Sequence, residues 1–261
     1  MEILIIGGDR RMLYTKSALE KQGFKVNTLG LLEGDGGDIK EADAVILPVP
    51  LTRDGVDINC SLTGSKIPLG ILSDVKQSAK IFGGGKLEIK NYTDYLALDS
   101  YALKNAVLTA EGAICHVLQN TDFSLWKSNV LVIGYGRVGK ILTDRLIAFK
   151  ANVFVSARSE KDFAMLEALS VNHLETDRLY ACKTRFDAVF NSVDIKFSDS
   201  AAAAFSGSLY IDLSSRGALP EDAGLKYGVK YEKLPGIPAK TAPVTAGGII
   251  AETVIEYLKS R

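Results

Sequence analysis

The sequence predicts an α/β protein of two parallel-sheet α/β domains, the second a doubly wound dinucleotide-binding domain, bridged by a long buried helix and a C-terminal helix. Three observations carry this. Short apolar runs alternate with helical stretches along most of the chain, the pattern of parallel βαβ units. The hexapeptide Gly134-Tyr135-Gly136-Arg137-Val138-Gly139 follows an apolar run at 129–133 and precedes a helical stretch at 140–149. Finally, 261 residues at 47% hydrophobic suffice for two ordinary cores, at roughly 100 to 200 residues per domain. The expected domains are 1–120, an N-terminal substrate and catalytic domain, and 121–261, a Rossmann domain with the C-terminal helix.

Composition excludes several classes of function. Lys plus Arg equals Asp plus Glu at 31 each, which gives no net field for coating nucleic acid or a membrane surface. The start MEILIIGGDRR lacks a basic segment before a cleavable apolar one, and no apolar run reaches the roughly 18 residues of a membrane span. A cytoplasmic location is therefore expected. Cys60, Cys115 and Cys182 are far apart and odd in number, and read as buried thiols rather than a disulfide framework or zinc site. His116 and His173 stand in no cluster with ligand spacing, so no metal is expected.

In the first domain, strands are predicted over 2–6, 24–29, 44–47, 68–72 and 80–82, with a helix over 10–22, a helical turn over 73–79 and an extended segment at 86–92. Ligands of such sheets bind outside the carboxyl ends of the strands. That rule puts Gly7, Gly8, Asp9, Arg10 and Arg11 at one mouth and residues 48–53 at another, within reach of a common cleft. Arg10, Arg11 and Arg53 are candidates to fork onto a carboxylate, with Thr52 beside them; the plainer reading of adjacent arginines opening a helix is solvation. Gly7-Gly8-Asp9 lacks the spacing of a nucleotide turn.

A helix over 98–119 is apolar nearly all round, and therefore reads as buried between the domains. Leu98, Tyr101, Ala102, Asn105, Thr109, Gly112, Ala113 and His116 share one stripe. Asn105 and Thr109 are polar groups on it that need partners, either a substrate or a neighbouring helix. His116, at the far end, reads as core.

In the second domain the hexapeptide has the strand before it and the helix after it that a GxGxxG string needs to count. Its first glycine permits the tight turn, the second a close approach of pyrophosphate, the third helix–strand packing, and the helix head favours phosphate. The next strand, 152–156, ends in Ser156-Ala157-Arg158-Ser159 with no carboxylate for a ribose. Arg158 and Ser159 point to the 2′-phosphate of NADP, with NAD as the alternative. A helix follows at 161–169, an apolar segment at 171–174, then strands at 188–191, 208–213 and 229–232, with a helix at 199–205. Asn191, Ser192 and Val193 end one of these strands and Ser214 to Arg216 another, both on the nicotinamide side. Three prolines at 235–243 predict a rigid loop that presents Lys240 and Thr241 to the reacting ring, ahead of a helix at 245–259.

TAEGAI (109–114), NVLVIGYGRVGK (129–140), VSARS (155–159), the Asn191-Ser192-Val193 turn, DLSSRG (212–217), PGIPAKTAPVTAG (235–247) and ILPVPLTRDG (46–55) all occur in this chain. Together they resemble the dipicolinate synthase A-subunit family over nearly the whole chain. The one departure is at 215–218, where the family pattern has a proline and a second glycine. The resemblance implies an NADP-linked oxidoreductase subunit of spore-forming bacteria. With a flavoprotein-like B-subunit, such a chain oxidises dihydrodipicolinate, or its hydrated precursor from the diaminopimelate/lysine branch, to dipicolinate. Homo- or hetero-oligomerisation and a place in the mother-cell cytoplasm follow from the same resemblance. Asn105, Thr109 and Lys240 are the catalytic candidates; Arg10, Thr52, Arg53 and Thr241 are candidates for holding the dicarboxylate. Two other readings keep the fold: a shikimate- or methylene-tetrahydrofolate-type dehydrogenase, and a non-catalytic nucleotide-binding partner subunit.

Overall fold

The computed structural model describes residues 1–220 and 222–259. The chain divides into two compact units, residues 1–105 with the C-terminal segment from 238, and residues 106–237. The division expected at 120/121, with the last helix in the second domain, differs from this at both ends.

The first unit opens with β1 (Glu2–Ile6), α1 (Arg10–Lys21), β2 (Lys25–Leu29), β3 (Ala44–Ile46), β4 (Lys80–Gly83) and β5 (Tyr92–Asp94), followed by α2 (Asp99–Asn120). Its five strands are all parallel, in the order β2-β1-β3-β4-β5. Strands covered on both faces read as continuous apolar runs, and Ile3 to Ile6 and Ala44 to Leu47 are buried accordingly. Asp9 caps α1, its carboxylate accepting from the Arg11 N–H at 3.0 Å. The strand predicted at 68–72 is instead a 3₁₀ helix, Leu69–Asp74. Gly70 and Ser73 interrupt any alternation there, and Leu72 is buried with Leu69 packed beside it at 3₁₀ spacing.

α2 crosses from one unit to the next. Its first turns carry Tyr101, whose ring lies 5.0 Å from that of Tyr95; its later turns place Ala110, Ala113, Ile114 and Val117 in the core of the second unit. It is not buried all round, since Leu103 and Leu118 are exposed.

The second unit continues with β6 (Asn129–Ile133), α3 (Arg137–Ala148), β7 (Asn152–Ala157), α4 (Glu160–Ala168), β8 (Asn172–Glu175), β9 (Ala188–Asn191), α5 (Asp199–Ala203), β10 (Leu209–Asp212), α6 (Ala223–Tyr227) and β11 (Lys230–Lys233). The strand order is β11-β10-β9-β6-β7-β8, all parallel. This is the doubly wound arrangement, with its reversal of strand order between β6 and β9.

The chain ends in α7 (Ile237–Thr241) and α8 (Pro243–Lys259). The expected rigid loop is thus largely a helical turn: proline is tolerated at the first positions of a helix, where its missing N–H has no intrahelical partner. α8 belongs to the first unit because it packs on α1. Thr15 Oγ1 donates to Gly247 O at 3.1 Å, and a Cβ on Gly247 would lie 2.4 Å from Arg11 O, so glycine lets the two backbones touch. Cys60 is buried, whereas Cys115 and Cys182 are half-buried. Among the described residues no helix is long and apolar enough to cross a membrane, and no group of three or more His, Cys, Asp or Glu side chains is placed to hold a metal ion.

Candidate functional site

β6 delivers the glycine turn to the point where the sheet order reverses. Gly134 turns at φ 94° and donates its N–H to Ser156 O at 2.9 Å. A Cβ there would stand 2.4 Å from Val193 Cγ1 and 2.9 Å from Ser192 Oγ. At Gly139 a Cβ would fall 1.9 Å from Gly134 O, so α3 begins in contact with the strand end. Gly136 differs from both: it is exposed, and a Cβ there would meet nothing within 4 Å. Gly136 is also the N-cap of a twelve-residue helix and supplies no side-chain capping bond. The first N–H groups of α3 and the positive end of its dipole therefore face an open approach, which fits a pyrophosphate.

The other residues of the turn have distinct roles. Arg137 is exposed at the first helical position and engages a partner within the protein. Val138 packs against the core, and Tyr135 is buried in it beneath the Lys140 ammonium, 5.2 Å from the ring centroid. Tyr135 thus offers a ligand its backbone rather than its ring.

At the end of β7, Arg158 is exposed and makes no ion pair or hydrogen bond among the described residues. Ser159 caps α4: its Oγ accepts from the Asp162 N–H at 3.1 Å and donates to the Asp162 carboxylate at 2.7 Å.

The ends of β9 and β10 are organised around Asp212, which sequence reasoning did not single out. Fully buried, it accepts from Asn191 Nδ2 at 3.0 Å, the Ser214 N–H at 2.8 Å, the Ala218 N–H at 2.8 Å and the Tyr231 hydroxyl at 2.5 Å. Burial by itself would raise its pKa; the hydrogen bonds from Ser214, Tyr231 and Asn191 outweigh burial and hold it below the usual carboxylate range. Tyr231 is pushed up to about 12, by burial first and then by its bond to Asp212.

Asn191, expected to touch the cofactor, has its amide committed: Nδ2 also donates to Val193 O at 3.0 Å, and Oδ1 accepts from the Val193 N–H at 3.3 Å. Ser192 donates to Ile133 O at 2.9 Å. These two residues hold Val193 against Gly134. Asp194, also unforeseen, ties the two strand-end loops together: it accepts from the Ser215 N–H at 2.8 Å, the Ser215 hydroxyl at 2.8 Å and the Arg216 N–H at 3.3 Å. The available signal was a carboxylate just after an apolar run, which these positions share with many strand ends.

The corresponding turn in the first unit is sealed. Gly7 and Gly8 have φ of 60° and 107°, yet residues 59–62 lie over them. Gly8 N–H donates to Asn59 O at 2.7 Å, Leu62 N–H to Gly8 O at 3.3 Å, and a Cβ on Gly7 would be 2.8 Å from Asn59 O. Arg11, which the sequence offered as an anion holder, is buried; its guanidinium is bonded to both oxygens of Asp9 and to Val49 O. It fixes the segment after β3 instead. Arg10 and Arg53 are exposed. Arg53 lines a cavity of about 270 Å³ with Asp57, Asn59, Ser61 and Lys66; Arg10 and Thr52 do not line it. Thr52 accepts from the Gly55 N–H at 2.9 Å and donates to Asp54 at 3.1 Å.

Asn105 and Thr109 are half-buried, and each engages a partner. Lys240 is exposed on α7 without an ion pair among the described residues, and Thr241, also exposed, engages a partner. His116 is not simply packed core: its Nε2 lies 2.5 Å from Glu232.

Residues 2–101 match the family model of the N-terminal domain of the dipicolinate synthase A-subunit. Residues 129–216 match the model described as NADP oxidoreductase, coenzyme F420-dependent. The chain is 27% identical to the A-subunit of dipicolinate synthase from Bacillus subtilis (strain 168), over 99% of this chain and 96% of that one. It is similar in structure to the same A-subunit of Bacillus subtilis, with a TM-score of 0.87 at 26% identity over 100% of this chain and 96% of that one. The A-subunit structure from Bacillus halodurans gives 0.88 at 25% identity, over 98% and 97%. The fold is therefore that of the dipicolinate synthase A-subunits.

Proposed function

We propose that this chain is a nicotinamide-dependent oxidoreductase subunit that oxidises dihydrodipicolinate, or its hydrated precursor, to dipicolinate for sporulation, with NADP preferred over NAD. The observation that carries the reading is the open Gly136 at the head of α3, placed where the strand order reverses and flanked by two glycines that tolerate no side chain. The family relationship of the first domain supports the substrate.

NADP, when bound, supplies the hydride acceptor. The protein's own groups position and neutralise. The head of α3 holds the pyrophosphate and the Arg158 guanidinium the 2′-phosphate. Asp212 and Asp194 hold the turn at 214–218 that backs the nicotinamide. Arg10, Arg53, Thr52 and Thr241 neutralise or hydrogen-bond the two carboxylates, while Asn105, Thr109 and Lys240 orient the ring for hydride loss. Aromatisation of the pyridine drives the reaction, so a strong general base is not required. A flavoprotein-like B-subunit is the expected partner, in an oligomer acting in the mother-cell cytoplasm.

The test is turnover by the purified chain, alone and with the B-subunit, on freshly generated dihydrodipicolinate with NADP or NAD. Reduced nicotinamide and dipicolinate absorbance should rise together. Nucleotide binding without turnover in either setting would instead establish a non-catalytic role. Arg158→Ala should raise KM for NADP about tenfold more than for NAD, and equal effects would refute the NADP preference.

A further inference from the structure

The end of β7 holds more than an arginine. Asp162, in the first turn of the nine-residue α4, folds back onto the helix cap and takes the Ser159 hydroxyl proton at 2.7 Å while its own N–H donates to the same Oγ. The residue is half-buried. It also lies close enough to Tyr135, inside the glycine turn, that its charge adds to burial in raising that phenol's pKa. Arg158 and Lys161 are both exposed and neither pairs with it among the described residues.

A 2′-phosphate arriving at Arg158 and the head of α4 requires hydrogen-bond donors and meets two obstacles. The Ser159 proton is already given away, and the group that holds it is an anion with no cation paired to it among the described residues. A ribose 2′-hydroxyl is neutral and meets neither. The first turn of the helix thus places a carboxylate beside a strand end that has none of its own. We propose that Asp162 is a specificity-determining residue of the cofactor site, acting against the 2′-phosphate and narrowing the preference for NADP that Arg158 confers. Such repulsive elements are a general route to discrimination between ligands that share most of their contacts. The proposal rests on the dinucleotide reading above.

The test is calorimetric titration of NADP and of NAD into the full chain as wild type, Asp162→Asn, Asp162→Ala, Ser159→Ala and the Ser159→Ala/Asp162→Ala double variant, with thermal unfolding as the check on folding. Removing the carboxylate should tighten NADP about tenfold and change NAD by less than about twofold, as expected for loss of a nearby like charge. Ser159→Ala should cost little in the wild-type background and remove much of the gain in the Asp162→Ala background, because only there is the hydroxyl available to the phosphate. An unchanged NADP-to-NAD ratio in both Asp162 variants overturns the proposal. So does selective weakening of NAD, which would make the carboxylate a ribose ligand. If wild type bound neither nucleotide, the dinucleotide reading itself would fall; wild-type binding with an unchanged ratio removes only the role of Asp162.

Discussion

The Gly7-Gly8 turn after β1 and the 134–139 turn after β6 occupy the same place in their sheets: each follows a buried parallel strand next to the reversal of strand order and leads into a helix. Their surroundings differ. In the first, glycine serves close packing of the chain on itself, since Asn59, Cys60 and Met12 stand where Cβ atoms would go. In the second, the outer glycines are walled in the same way and the middle one is left bare. A glycine-rich turn at a switch point has room for a ligand only where a glycine faces open space at a helix head, as Gly136 does and Gly7 and Gly8 do not.

The largest effect that would sharpen this comparison is expected at Gly139. Gly139→Ala drives a Cβ into backbone, 1.9 Å from Gly134 O, and α3 must move off β6. We expect a loss of about 4 kcal/mol in urea unfolding, with nucleotide binding lost as well. Next is Gly7→Ala, where a left-handed φ of 60° combines with a backbone contact at 2.8 Å. About 2 to 3 kcal/mol should be lost, but NADP affinity should stay within about twofold because the nucleotide reading rests on the other turn. A large loss of nucleotide affinity in a folded Gly7→Ala protein would break the distinction between the two turns.

How much of this was legible in sequence follows from the range of the interactions. The glycine hexapeptide, its strand and its helix are local, so residues 129–149 read correctly as strand, turn and helix. Non-local closures did not read. Nothing adjacent to Gly7 announces that residues 59–62 return to cover it, and nothing at 243–259 announces that the last helix packs on α1 through Gly247. Arg11 looked like its neighbour Arg10 until the fold buried it against Asp9 and Val49. Asp212 was passed over because its donors come from Asn191, Tyr231 and its own following turn, which only the sheet brings together. Ser159 read as a phosphate ligand; that it also caps α4 and binds Asp162 depends on where the helix starts.

The Asp212 cluster offers an intermediate effect confined to the open side of the comparison. Asp212→Asn should cost about 2 kcal/mol at neutral pH, since a buried acceptor of four donors is replaced by a group that must present its own amide protons to some of them. The sign of the pH dependence follows from the lowered folded pKa. With an unfolded value of about 3.9, stabilisation by Asp212 is complete above that value and is lost as pH falls through the lower folded pKa. The gap between wild type and variant should therefore narrow below about pH 4 in acid unfolding curves. A gap independent of pH would show that the carboxylate's charge contributes nothing to the turn.

The smallest change in stability is expected at Gly136, and it is the most telling. A Cβ there meets nothing within 4 Å and the φ of −79° suits any residue, so Gly136→Ala should cost no more than about 1 kcal/mol, the part of the N-cap preference by which glycine exceeds alanine. Yet that methyl would stand in the approach to the helix head. NADP affinity should fall at least about tenfold, and Gly136→Val should reduce it further, because a phosphate held by backbone N–H groups needs contact distance. The pairing of an intact fold with lost binding is the opposite of the outcome expected at Gly7. If Gly136→Val folded and bound NADP as wild type does, the space over α3 would be solvent rather than a ligand site, and the contrast between the two turns would carry no functional meaning.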